Sequence, residues 1–147
     1  MKMPNGTFVV VADGRKMLFF RNEGDEDYPQ LELDNKRQQE NPPNRELKAN
    51  EAGRSFSSGS HARSKMEDTD FHQLEEDRFA AETADLLYKR AHRNDFEKLL
   101  VIAPPRTLGE LRKHYHKEVE DRLIGEIDKD LTGHTIAEIE KIVQASG

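Results

Sequence analysis

The stretch "EKLLVIAPPRTLGELRKHYH", residues 97–116, decides the fold because it contains a complete strand-to-helix unit. Residues 99–103, "LLVIA", are apolar without interruption, which is typical of a strand buried on both faces. Pro104 and Pro105 end that strand, and Thr107 and Glu110 have the spacing of a helix capping box. The stretch therefore predicts a buried strand followed directly by a helix with a basic outer side.

The N-terminal part of the chain predicts three further strands. The apolar run 7–12 and the run 15–22 are separated by Asp-Gly at 13–14, a strong hairpin signal because both turn positions favour positive φ. Residues 27–34 alternate apolar and polar side chains. Because Pro29 cannot donate to a sheet ladder, this third strand is expected at an edge.

The remaining elements alternate between helix and strand. We expect a helix with Asp70 as N-cap, then, after the helix of the opening stretch, a strand over 122–131 and a last helix begun by a capping box at 135–138. The expected inward residues of the helices are Phe79, Ala80, Thr83, Ala84, Leu86, Leu87, Ala91, Leu108, Leu111, Tyr115, Ile136, Ile139 and Val143. On the last strand, Leu123, Gly125, Ile127 and Leu131 are expected on one side.

This order predicts a single α/β domain over 1–147. A hairpin that leads into helix-linked parallel strands is typical of a three-layer fold of the ribonuclease H-like kind, with a mixed five-stranded sheet and three helices. Residues 35–68 contain few large apolar side chains and predict a long flexible loop after the third strand.

Composition narrows the classes of function. The 147 residues carry a net charge of −6 and no cysteine, which excludes disulfides, thiolate catalysis and cysteine zinc sites. The apolar run near the N-terminus is too short for a signal peptide or a membrane span, so a cytoplasmic protein is expected. We expect no cofactor and no metal; the oligomeric state is not indicated by the sequence.

The helix that follows the proline pair is the first candidate site. A helix that starts at the carboxyl end of a strand offers free N–H groups and a positive dipole end to an anion. The residues expected to contact that anion are Arg106, Thr107, Arg112, Lys113 and Lys117. The alternative is a well-capped helix whose basic side chains are only solvated.

The sequence gives little support to a histidine metal site or to a two-metal nuclease. His114 and His116 lie two residues apart and face opposite sides of a helix, so they cannot share a metal ion. A two-metal nuclease needs several converging carboxylates, but the strand at 99–103 carries none. If the protein is a hydrolase, the first candidates for its catalytic residues are Asp13, His61 and Arg106. Asp128 and Asp130 are expected to face solvent.

Residues 53–64, "GRSFSSGSHARS", form the second candidate contact region. Arg54, Phe56, His61 and Arg63 combine cationic and aromatic side chains that suit RNA, a protein or another anionic surface. The alternative is a flexible linker, since the segment is rich in serine and glycine.

Four blocks of the sequence resemble the bacterial host attachment protein family, whose name refers to attachment to host cells. They are "NGTFVVVADGRKMLFFRN", "QLEEDRFAAETADLL", "KLLVIAPPRTLGELRKHYHKEV" and "EIDKDLTGHTIAEIEK". That family is similar in fold to the middle domain of eukaryotic and archaeal peptide chain release factors. The resemblance thus implies a Gly-Gly-Gln loop between the third strand and the first helix, yet residues 58–61 are Ser-Gly-Ser-His and the chain contains no Gly-Gly-Gln.

The resemblance leads to two hypotheses on function. The first is a non-enzymatic cytoplasmic binding protein of the host attachment family, which contacts an anionic or protein partner through its basic loop and helix. The alternative is a ribosome- or tRNA-associated factor, or a hydrolase, related to the release-factor middle domain. The missing tripeptide removes the basis for transferring peptidyl-tRNA hydrolysis to this chain.

Overall fold

The computed structural model describes residues 1–38 and 61–146, with side chains for 1–34 and 73–146. The elements are, in chain order, β1 (Phe8–Ala12), β2 (Lys16–Asn22), β3 (Leu31–Gln38), α1 (His61–His92), β4 (Leu99–Ile102), α2 (Pro105–His114), α3 (Lys117–Arg122), β5 (Leu123–Ile127) and α4 (Ile136–Ala145). They form an α/β fold around one mixed sheet with the strand order β3-β2-β1-β4-β5.

The sheet has the directions that the sequence predicts. β1 pairs antiparallel with β2, and β2 with β3. β4 lies parallel between β1 and β5, because each of the connections from β3 to β4 and from β4 to β5 contains helix and returns the chain to the same edge. β3 is an edge strand, as predicted, but it begins at Leu31, so Pro29 lies before the strand and not in it.

Two apolar clusters cover the two faces of the sheet. Alternate residues of the central strands point to opposite sides, so Val10 and Val101 pack under α1, α2 and α3, while Val9 and Leu100 pack under α4. The predicted inward residues of α1 are buried except Leu86, which is partly buried. Ile139 and Val143 of α4 are buried, whereas Ile136 is 40% exposed, so that assignment was wrong.

The structure has four helices in the described residues, not the predicted three. The additional helix is α3, and it begins where the carbonyl of His116 accepts the amides of Val119 and Glu120. Val119 anchors α3 in the core. The last strand is accordingly shorter than predicted and ends at Ile127.

Other predicted boundaries also shift. β3 continues to Gln38 because it pairs with β2 along its whole length, and α1 already begins at His61, so Asp70 lies inside the helix and is not its cap. Both ends of the predicted loop 35–68 are therefore regular structure: residues 35–38 belong to β3 and residues 61–68 belong to α1. Its remaining residues, 39–60, lie outside the described residues.

Local irregularities account for the remaining differences. The β1–β2 turn includes Arg15, and the Asp13 carboxylate accepts the amides of Arg15 and Lys16 without positive φ at 13–14. The register of β4 and β5 shifts near Leu123, so Leu123 and Ile127 pack into different clusters and the predicted common face was wrong.

Candidate anion-binding surface on helix α2

Helix α2 starts at the carboxyl end of β4, on the edge of the sheet that the opening stretch predicted. Pro104 is its N-cap residue and Pro105 occupies the first helical turn, where the missing proline N–H costs no helical hydrogen bond. The amides of Arg106 and Thr107 follow in the first turn, whose N–H groups have no partner within a helix. The local sequence thus leaves the first backbone N–H groups of α2 without partners inside the helix.

The predicted capping box of α2 does not form. The helix begins at Pro105, so Thr107 is the third helical residue, and no side chain caps the N-terminus. Prolines fix the helix start by their restricted φ, which overrides the Thr107–Glu110 spacing. The second predicted capping box is confirmed: the Thr135 hydroxyl accepts the Glu138 amide, and the Glu138 carboxylate accepts the Thr135 amide.

We call Arg106, Arg112, Lys113 and Lys117 the α2 surface. Leu108 and Leu111 face the core, so the basic residues are left on the outer side of the helix and its junction with α3. Arg106 lies in the first turn of α2, and Lys117 is the first residue of α3, directly after the end of α2. Both are exposed, and neither forms an ion pair with a described residue.

The two middle cations of the α2 surface are each held by a carboxylate. Arg112 donates from Nε (2.9 Å) and Nη2 (2.7 Å) to Oε1 of Glu126 on β5. Lys113 donates to Glu110, three residues earlier on the helix, at 3.0 Å. The hydrogen bond with Glu126, and then its charge, raise the pKa of Arg112, so its guanidinium is charged throughout the accessible pH range.

A short aromatic stack borders the α2 surface where α2 meets α3. The rings of Tyr88 and His116 are stacked with centroids 4.1 Å apart. His92 lies against the same tyrosine and has Nδ1 3.4 Å from a Glu118 oxygen. Of the two histidines in "HYH", His116 is thus stacked on Tyr88, whereas His114 is exposed. The described residues contain no group of three His, Asp or Glu side chains able to hold a metal ion.

Asp13 is engaged in local structure at the carboxyl edge of the sheet. Besides accepting the two turn amides, it accepts the Thr132 hydroxyl at 3.0 Å. Thr132 also lies 2.9 Å from Asp130. Asp128 and Asp130 are exposed. Through these contacts, Asp13 fixes the β1–β2 hairpin to the loop before α4.

The candidates in the 53–64 region lie outside what the structure can describe. Arg54 and Phe56 are not among the described residues. His61 and Arg63 belong to the first turn of α1, but their side chains are not described. Their assignment as contact or catalytic residues stays a prediction.

Sequence reasoning missed the contact of Glu126 with Arg112 and the unpartnered state of the Tyr115 hydroxyl. Glu126 is an acidic residue in a strand that is otherwise apolar, and β5 lies beside the strand that leads into α2. That combination is a signal for an ion pair with the basic helix. Nothing in the sequence indicated the state of the Tyr115 hydroxyl, because it depends on packing.

The part of the chain that the structure describes contains no helix of the length and apolarity that a membrane span requires. A search of curated proteins finds no match. The model of the bacterial archaeo-eukaryotic release factor family 12 matches residues 6–143 of the 147. This supports the release-factor part of the resemblance and gives no support to host attachment. The chain belongs to bacterial archaeo-eukaryotic release factor family 12.

Proposed function

We propose that this protein is an RNA-binding, ribosome-associated factor that does not hydrolyse peptidyl-tRNA. The observation that carries the proposal is the family membership over residues 6–143. The release-factor part of that relationship favours a ribosomal or RNA partner. The absence of Gly-Gly-Gln from the sequence removes the residues to which hydrolysis is assigned in release factors.

The α2 surface is the proposed RNA contact. On a chain with a net charge of −6, it gathers four cations along one short helix and its end. Arg106 and Lys117 are free of ion pairs with described residues, so they can bind phosphates without first breaking a protein contact. Arg112 can add a bidentate contact once Glu126 releases it.

The experiment that tests this proposal is RNA binding by charge-reversal variants. Fluorescence anisotropy of a labelled oligouridine is measured with the wild type, the Arg106→Glu/Lys117→Glu variant and a Lys141→Glu control. Lys141 is exposed on α4, on the opposite face of the sheet. We expect the double variant to lose about tenfold or more in affinity and part of the salt dependence, because phosphate contacts release counterions.

The control variant should bind like the wild type apart from a small uniform effect of net charge. Equal affinity of the double variant and the wild type would show that the α2 surface does not contact RNA.

A further inference from the structure

Glu126 holds Arg112 in the free protein, so any ligand that takes Arg112 also changes the surroundings of the Glu126 carboxylate. Its side chain is only 17% exposed, and only one of its oxygens, Oε1, is hydrogen bonded, to the half-exposed guanidinium of Arg112. The other oxygen, Oε2, is buried and has no hydrogen-bond partner among the described residues. The carboxylate therefore sits between solvent-facing Arg112 and the protein interior.

The Tyr115 hydroxyl is a second buried group without a partner. It is buried beneath the end of α2 and donates to no described residue. Burial, and then the negative charge of Glu126, raise the pKa of the Tyr115 phenol. The hydroxyl therefore keeps its proton and can act as a hydrogen-bond donor. Tyr115 follows Arg112 by three residues at the end of α2, so it lies on the side of the helix from which Arg112 contacts Glu126. The Tyr115 hydroxyl and Glu126 Oε2 are thus a buried donor and a buried acceptor in the same region, and leaving both without a partner costs free energy in the free protein.

We propose that Tyr115 is a positioning residue for RNA binding: its hydroxyl takes over Glu126 when Arg112 leaves that carboxylate for a phosphate. This inference rests on the proposed function of the α2 surface. In the free protein, Arg112 is hydrogen bonded to Glu126, and the Tyr115 hydroxyl has no hydrogen-bond partner among the described residues. In the bound protein, a rotation of the Glu126 side chain replaces the two Arg112 hydrogen bonds by one from Tyr115.

The physical reason is the cost of leaving a buried carboxylate without a partner. A phosphate that captures Arg112 would otherwise strand Glu126 in a partly desolvated position, and this cost would subtract from RNA affinity. A hydrogen bond to a charged group is worth enough to change an equilibrium constant by about tenfold or more. Tyr115 therefore sets how readily Arg112 is released.

The first test needs no ligand, since replacing Arg112 by alanine also vacates Glu126. We expect Tyr115→Phe to leave the Tm of the otherwise wild-type protein nearly unchanged, because the hydroxyl has no partner there. In the Arg112→Ala background the same substitution should lower the Tm by about 2–4 °C. Equal effects of Tyr115→Phe in both backgrounds would overturn the inference.

The second test measures oligouridine affinity in a double-mutant cycle. Tyr115→Phe should weaken binding about tenfold when Glu126 is present and have no effect in a Glu126→Met background, where no carboxylate remains to be satisfied. Glu126→Met alone should tighten binding because it frees Arg112.

The two proposals fail differently. If the wild type binds the oligouridine and the Arg106/Lys117 double variant does not, but Tyr115→Phe binds like the wild type, the role of Tyr115 is refuted and the α2 surface stands. If the wild type does not bind at all, the oligouridine result counts against the proposed function, and the Tm comparison still decides whether Tyr115 takes over Glu126.

Discussion

Arg90 on α1 joins the end of the long helix to the edge strand through Asp34, with Nη2 2.8 Å from Oδ2. The same guanidinium donates from Nε to Asp95 at 3.1 Å, and its carbon lies 4.8 Å from the centre of the Phe8 ring. One side chain thus ties together β1, β3, α1 and the loop before β4. It fixes the position of the C-terminal part of α1 against the sheet.

Replacing Arg90 by alanine should destabilise the protein by about 3 kcal/mol. The side chain is only 14% exposed, so its removal leaves two partly buried carboxylates without their main partner. Urea denaturation monitored by circular dichroism measures the change. The matched control is Lys89→Ala, one residue earlier, whose ion pair with Asp85 is exposed and should be worth about 0.5 kcal/mol or less. Similar losses for both variants would contradict this role for Arg90.

The stability of the protein should fall on acidification, in part because of Asp95. Hydrogen bonding by Arg90, opposed by desolvation and supported by Arg93, lowers the pKa of this carboxyl below its ordinary value of 3.8. A lowered pKa in the folded state means that the contribution is fully present above the ordinary value and is lost as the pH falls through the folded one. The free energy of unfolding, measured from about pH 6 to about pH 3, should therefore decline less steeply in Asp95→Asn.

If Asp95→Asn and the wild type lose the same free energy of unfolding between about pH 6 and about pH 3, Asp95 is not a source of the pH dependence.

The two threonines with capping-box spacing should behave differently. Thr135→Ala removes a side-chain cap that the Glu138 amide uses, so it should cost about 1 kcal/mol of unfolding free energy. Thr107→Ala removes no cap and should stay within about 0.5 kcal/mol of the wild type. Thr135→Ala should also let the lowered pKa of Glu138 rise partway, since the Thr135 backbone amide still donates to it. Thermal denaturation together with NMR titration checks both points, and equal costs for the two alanines would contradict the structure.

The sequence was sufficient for the sheet because its strands have strong local signals. The apolar runs of β1, β2 and β4 and the proline stop at Pro104 define a hairpin joined to parallel strands, and the structure has this arrangement. The helix α3 was missed because it is six residues long, and only Val119 anchors it in the core. Such a short helix depends on tertiary contacts, which local patterns do not contain.

The α2 surface was predictable as a set of cations but not as a set of contacts. Arg106 and Lys117 are exposed, as a basic outer side of the helix implied. The pairing of Arg112 with Glu126 depends on the neighbouring strand, and the idle Tyr115 hydroxyl depends on how that pair is packed. Both follow from tertiary structure, so periodicity along the chain could not reveal them.

Co-sedimentation with ribosomes tests the central claim most directly. Purified wild type, Arg106→Glu/Lys117→Glu and the Lys141→Glu control are each centrifuged with ribosomes through a sucrose cushion at low and high salt. We predict that the wild type and the control pellet with ribosomes at low salt, and that high salt releases them. The double variant should remain in the supernatant. Wild-type protein that stays in the supernatant at low salt, or a double variant that pellets as well as the wild type, would contradict the account.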